Sequence, residues 1–315
     1  MKKFYTAIAI SLCVGSFSQT ALSAADASSC KQIRMASPGW ADIEATNATA
    51  GFILDALGYK QIVQNVSVPI TYQGLRKGQL DVFLGNWLPP QKDMVKPLID
   101  SHEIDVLNRN LENAKFTLAV PDYVANAGVK SFADLEKYAD KFDRKIYGIE
   151  PGAAGNQKIQ GMLDAKDFNL NNWKLVESSE AGMLTQLRRA VKQKKWFVFL
   201  AWEPHLMNTE FKIAYLSGGD KYLGPNYGAA TVDTVARHDY AKVCPNAGQF
   251  FKQLKFDVAM ENQMIASVLR DKKDAKEAVV QALKQHPEKL QVWLNGVTTI
   301  DGKDGLAAVK ARLAK

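Results

Sequence analysis

Asp81-Val82-Phe83-Leu84-Gly85-Asn86-Trp87 and Phe197-Val198-Phe199-Leu200-Ala201-Trp202-Glu203-Pro204 share one design, although more than a hundred residues separate them. Each is an apolar run of strand length, rich in Val and Phe, that ends in a tryptophan and is followed by proline. In an open parallel α/β sheet, ligands sit in the crevice outside the carboxyl ends of the strands. A tryptophan at that point is a ligand wall. Two such walls far apart in sequence predict a site built from two lobes that face one another, with aromatic rings closing around a small cation.

Working outward from these runs, strands and helices alternate. Residues 31–36 read as a strand, the loop Ser37-Pro38-Gly39-Trp40-Ala41-Asp42 follows, and apolar spacing over 43–57 predicts a helix ended by Gly58. Residues 63–68 read as a strand, 71–77 as a short helix and 80–84 as the strand before Trp87. Residues 115–121 read as a strand that crosses into a second lobe. There Ser131 and Asp134 form a capping-box pattern, 145–149 and 173–177 read as strands, and 157–163 and 182–192 as helices. Residues 229–237 cross back, and helices follow at 246–255, 261–269, 274–285 and 287–294. Alternating strands and helices predict an α/β fold with a parallel or mixed sheet. Two crossings make the first lobe discontinuous: 25–111 and 229–315 form lobe I, and 112–228 form lobe II.

Residues 1–24 read as a signal peptide, with Lys2 and Lys3, a short apolar core at 7–14, and small residues offering cleavage after Ala24, Ala25 or Ala27. The expected location is therefore the periplasm, with the signal peptide cleaved. The formal charge of +7 falls to +5 without Lys2 and Lys3. The basic residues are dispersed, so no nucleic-acid partner is expected. Cys13 leaves with the signal peptide, and Cys30 and Cys244 remain in an oxidising compartment, where a disulfide is the expectation. For so long a loop, chain entropy gives about 5 kcal/mol as an upper figure.

Motifs for catalysis are missing. The four histidines, His102, His205, His238 and His286, have no metal-ligand spacing, and His205 reads as a surface or capping residue. There is no Gly-x-Ser-x-Gly elbow, and a bonded cysteine pair leaves no thiol nucleophile. Asp42 and Glu203 could both reach a cleft, but no partner arrangement for a general acid accompanies them. The expectation is no metal, no cofactor and no enzyme. The turn Pro151-Gly152-Ala153-Ala154-Gly155-Asn156 lies between a strand and a helix, where its backbone N–H groups could meet a ligand's polar end.

The aromatic set carries the chemistry. Trp40, Trp87 and Trp202 fall in loops just past predicted strands, and Phe116 lies at the crossing. Aromatic faces recognise quaternary ammonium ions, which have no N–H to donate. At about 0.5–2 kcal/mol per ring, three or four rings supply roughly 2–8 kcal/mol, and micromolar binding needs about 8 kcal/mol. Asp42 is placed to serve as counter-charge or as hydroxyl acceptor.

Pro38-Gly39-Trp40-Ala41-Asp42, Gly85-Asn86-Trp87-Leu88-Pro89-Pro90, Ile149-Glu150-Pro151-Gly152 and Ala201-Trp202-Glu203-Pro204-His205 resemble the periplasmic choline-binding proteins of ABC importers, within the glycine betaine/choline/carnitine-binding group. The resemblance spans essentially the whole mature chain. It implies a two-lobed class II periplasmic binding fold (a Venus flytrap) that closes on its ligand and docks on an inner-membrane ABC permease. The expected form is a monomer. By position, Trp40, Trp87 and Trp202 would be cage walls and Asp42 the partner of the ligand's polar end. The family's fourth ring is usually tyrosine, where this chain has Phe116. Its turn usually offers an asparagine, where this chain has Ala153, with Asn156 nearby. Choline or a related trimethylammonium compound is the expected ligand. Glycine betaine or carnitine is the alternative, and an exported enzyme acting on a choline ester is the alternative of another class.

Overall fold

The computed structural model describes residues 26–315. The signal peptide expected at 1–24 lies outside the described residues.

Nine strands form one mixed sheet: β1 (Gln32–Ser37), β2 (Lys60–Asn65), β3 (Val82–Leu88), β4 (Ile104–Pro121), β5 (Lys145–Tyr147), β6 (Lys174–Val176), β7 (Phe199–Glu203), β8 (Ile213–Tyr215) and β9 (Ala229–Arg237). The order is β2-β1-β3-β9-β4-β7-β5-β6, with β8 beside β4. Two parallel sets, β2-β1-β3 and β7-β5-β6, flank the antiparallel pair β9 and β4. These two central strands contain the segments expected to cross, 115–121 and 229–237. β4 pairs with β9 along its first part and with β7 from Lys115 to Ala119. At about 3.3 Å per residue its 18 residues reach roughly 60 Å. Register shifts at Val106/Asn108, Arg109/Leu111 and Leu111/Ala114 bend it on the way.

Local chemistry explains most boundaries. β3 is buried on both faces and reads as an apolar run, β1 is buried except at Gln32 and Arg34, and β2 pairs only with β1 and is mostly exposed. The strand expected at 63–68 is therefore corrected to Lys60–Asn65. An edge strand rich in Lys, Gln and Asn carries no apolar signal, and Val66 and Val68 instead introduce the helix Val68–Arg76, whose first turn holds Pro69. The helix Ala41–Ala56 ends before Gly58, which takes φ +87°. The helices Val258–Leu269, Ala275–Gln285 and Gly305–Leu313 each begin on an aspartate, Asp257, Asp274 or Asp304, whose carboxylate accepts a first-turn N–H. The last of these was not anticipated, because its apolar face is short.

Cys30 and Cys244 are bonded, which ties the segment before β1 to the segment after β9. Beside the bridge, the buried Asp26 carboxylate accepts from Asn246 N at 2.7 Å, Ala247 N at 3.0 Å and the Tyr59 hydroxyl at 2.9 Å. It caps the helix Pro245–Gln253 from a distant point in the chain. Asp26→Ala leaves those donors buried without an acceptor and is expected to destabilise the protein by about 2–3 kcal/mol. The shift in the urea unfolding midpoint measures it.

Candidate functional site

The carboxyl ends of β3 and β7 converge on one tight pocket, lined by Trp40, Asp42, Trp87, Pro90, Gln91, Phe116, Ile149, Ala153, Ala154, Gly155 and Trp202. The first five come from the β2-β1-β3 side, and the rest come from β4 and the β7-β5-β6 side. Trp87 and Trp202 belong to the last residues of β3 and β7, and Trp40 is the N-cap of the helix Ala41–Ala56. Only Trp40 is thus outside regular structure, so the expected loop setting is corrected for Trp87 and Trp202. A strand end fixes a ring more firmly than a loop does.

Trp87, Phe116 and Trp202 form a continuous wall. Phe116 lies 5.7 Å from Trp87 and 6.3 Å from Trp202, centroid to centroid. Exposures of 6% for Trp40, 2% for Trp87, 7% for Phe116 and 3% for Trp202 show that the cleft is shut around this space. Close approach is built into the turn as well. A Cβ on Gly155 would come within 2.7 Å of the Phe116 ring, so only glycine fits there.

Asp42 is the one charged side chain in the lining. Its Oδ2 accepts from Trp87 Nε1 at 3.1 Å, while its buried Oδ1 has no partner. Burial pushes its carboxyl up to about 7, with a further push from Glu180; the Trp87 hydrogen bond and His205 oppose the shift. Gln91 is committed, donating to Gly85 O and accepting from Tyr72. An unpartnered acceptor in an aromatic box, with an ionisation balanced near neutrality, is what a donor-bearing cation would satisfy.

Asn156 is not brought to the pocket. It lies in the first turn of the helix Ala154–Asp164, and its amide is spent on Ile149 N, Ile149 O, Glu150 O and Glu177 Oε1. It pins the turn, while Ala153, Ala154 and Gly155 present the helix N-terminus to the pocket. Glu203 stays outside, paired with Lys115 at 3.7 Å.

Of the two expectations for His205, surface or capping, the first is corrected, since the residue is fully buried, and the second fits its acceptance of the N–H that opens the helix Met207–Glu210. His205 lies edge-on to Trp202, with ring centroids 4.9 Å apart. Its Nδ1 accepts from Met207 N at 3.0 Å, which assigns the ring proton to Nε2, 3.0 Å from Glu180 Oε1. Two carboxylates escaped the sequence reading, Glu150 and Glu180. Glu150 Oε1 accepts from Trp40 Nε1 at 2.8 Å, and burial pushes its carboxyl up to about 7, as do Glu180 and Asp42, against the opposing hydrogen bond from Trp40. Helix-first-turn and turn positions gave them no distinguishing pattern.

Among the described residues, Asp105, His238 and Asp239 also lie together. They are partly exposed, and Lys242 already pairs with Asp239 at 2.6 Å, so they form a surface ion-pair group.

Residues 31–285 match the family described as the substrate-binding domain of ABC-type glycine betaine transport systems. Among solved structures, an ABC-transporter choline-binding protein in complex with choline is 46% identical, with a TM-score of 0.89 over 91% of this chain and 100% of that one. A choline-binding protein in an unliganded, semi-closed conformation gives 46% identity and a TM-score of 0.83 over the same shares. The glycine betaine/carnitine transport binding protein of Listeria monocytogenes is 28% identical over 213 residues, 67% of this chain and 65% of that protein. The matched family binds substrate for transport and is not an enzyme family, and its two-lobed α/β fold is the one described above.

Titrating the carboxyl groups by carbon-13 NMR should find Asp42 and Glu150 half-protonated near pH 7. Ordinary carboxylate values, about 4, would contradict the buried, mutually repelling arrangement.

Proposed function

The chain belongs to the substrate-binding family of ABC-type glycine betaine transport systems, and from that premise we propose that it captures choline and hands it to an ABC permease of the inner membrane. The carrying observation is Asp42 Oδ1, a buried acceptor without a partner inside four aromatic walls. The trimethylammonium group meets the faces of Trp40, Trp87, Phe116 and Trp202, where neither hydrogen bonds nor strong hydration are lost. The hydroxyl donates to Asp42 and turns its oxygen toward the N-terminal end of the helix Ala154–Asp164, which favours electronegative groups. The likeness to the choline-bound structure, greater than to the unliganded semi-closed one, supports a closed, ligand-ready arrangement.

Lobe I comprises 25–111 and 229–315, and lobe II 112–228. Support comes from the sheet, whose two parallel sets meet at β4 and β9. The ligand's differential affinity for the closed arrangement shifts the open–closed balance. The working form is periplasmic, its leader removed after Ala24 or Ala25. Cleavage after Ala27 would discard Asp26 and its three hydrogen bonds. The intact mass of the exported protein checks this directly.

Glycine betaine or carnitine is the second reading, favoured by the same helix end, which suits a carboxylate. Asp42 decides between them. Ionised, it attracts choline and repels a zwitterion's carboxylate; protonated, it can donate to that carboxylate. Its carboxyl is pushed up to about 7, so it is mostly neutral at pH 6 and mostly charged at pH 8. Choline affinity should therefore rise with pH across this window, by no more than about tenfold per unit for one linked proton, and betaine affinity should fall. Calorimetric titrations with choline, glycine betaine, carnitine and proline at pH 6 and pH 8 test this. Carnitine or betaine binding more tightly than choline at pH 8 would overturn the choline assignment.

The cage is tested by single rings. Trp202→Ala should weaken choline binding by about tenfold or more, a loss of 1.4 kcal/mol or more. Trp87→Ala should cost more, because it also removes the indole donor to Asp42. Unchanged affinity in both variants would exclude the cage.

A further inference from the structure

Glu180 does not line the pocket, yet it touches the segment on which the pocket depends. It opens the helix Glu180–Gln193 on the lobe II side, and its Oε2 accepts from Ala41 N at 3.2 Å on the lobe I side. Ala41 lies between Trp40, a cage wall, and Asp42, the counter-charge. The helix Ala41–Ala56 has no side-chain cap of its own, since Trp40 occupies the cap position. Glu180 thus supplies the missing acceptor from the other lobe. Its second oxygen faces His205 Nε2 at 3.0 Å, and His205 in turn packs edge-on against Trp202, the opposite cage wall.

We propose that Glu180, oriented by His205, is a positioning residue that latches the closed cleft and so sets how long the ligand is held. This deepens the choline reading and rests on it. Both carboxylate oxygens meet N–H donors, so neither an amide nor a shorter acid satisfies both at once. The residue is 8% exposed and His205 is fully buried, so the contact belongs to the shut cleft. When the lobes part, Ala41 N–H and Glu180 return to water. The contact therefore stabilises the closed state alone and acts on release, not on encounter. Trp40 Nε1 to Glu150 Oε1 is a parallel bridge between the same lobes, gripping the Trp40–Asp42 segment from its other side.

The test is stopped-flow tryptophan fluorescence with choline and with tetramethylammonium on the wild type, Glu180→Gln and Glu180→Ala, with ligand-free melting temperatures as the folding control. Glu180→Gln presents an NH2 to one of two donors, and Glu180→Ala removes both acceptors. Both should raise the dissociation rate by about tenfold or more and leave the association rate within about twofold. A dissociation rate equal to wild type, or a fall in association that matches the loss of affinity, would overturn the latch and leave the choline reading intact. A wild type that binds neither ligand would overturn the choline reading, and the latch with it.

Discussion

A carboxylate taken out of water among aromatic rings is unstable unless something positive or a donor meets it. Asp42 is held in that state by design. One oxygen is anchored by the Trp87 indole, the other is left free, and burial brings its ionisation to the middle of the physiological range. No lysine or arginine lines the pocket to neutralise it. On the proposed reading, the guest brings the positive charge. Rings alone would accept a neutral body of the right size, and a carboxylate alone would accept any small cation. On that reading, the two together favour a cation that is bulky and weakly hydrated.

The fold exists to bring these groups together from distant points in sequence. Trp40 and Asp42 open the first helix, Trp87 ends β3, Phe116 lies in the stretch of β4 that pairs with β7, and Trp202 sits near the end of β7. The sheet, with two parallel sets sharing a central antiparallel pair, places all of these at one crevice. On the proposed lobe division, β4 and β9 would be the covalent route between the two halves. The half-buried carboxyl of Glu150 and the buried carboxyl of Glu180 both reach toward the Trp40–Asp42 segment.

Much of this was legible in the sequence where local chemistry and global fold agree. Apolar runs mark the buried strands β3 and β7, Gly58 marks the end of the first helix, and the spacing of Trp40, Trp87 and Trp202 marks the cleft. What escaped was decided by tertiary context. β2 is a polar edge strand, so its pairing with β1 has no apolar signature. The first half of β4 is irregular and bulged, which blurs period-two alternation. Asn156 reads as a free polar group in a turn, but the turn itself consumes its amide. His205 reads as an isolated histidine because its partner, Glu180, comes from another helix. Side chains that act across lobes leave no spacing to read.

Charge, and not shape alone, holds the guest on the proposed reading. Choline and 3,3-dimethyl-1-butanol have nearly the same size and the same hydroxyl, but the second replaces the quaternary nitrogen with carbon. Competition between them for the purified protein at pH 8 isolates the charge. Four rings at about 0.5 kcal/mol or more each require choline to bind at least about thirtyfold more tightly. Equal affinity for the neutral alcohol would mean that the pocket recognises an apolar knob with a hydroxyl, and that Asp42 and its aromatic walls are not a cation site.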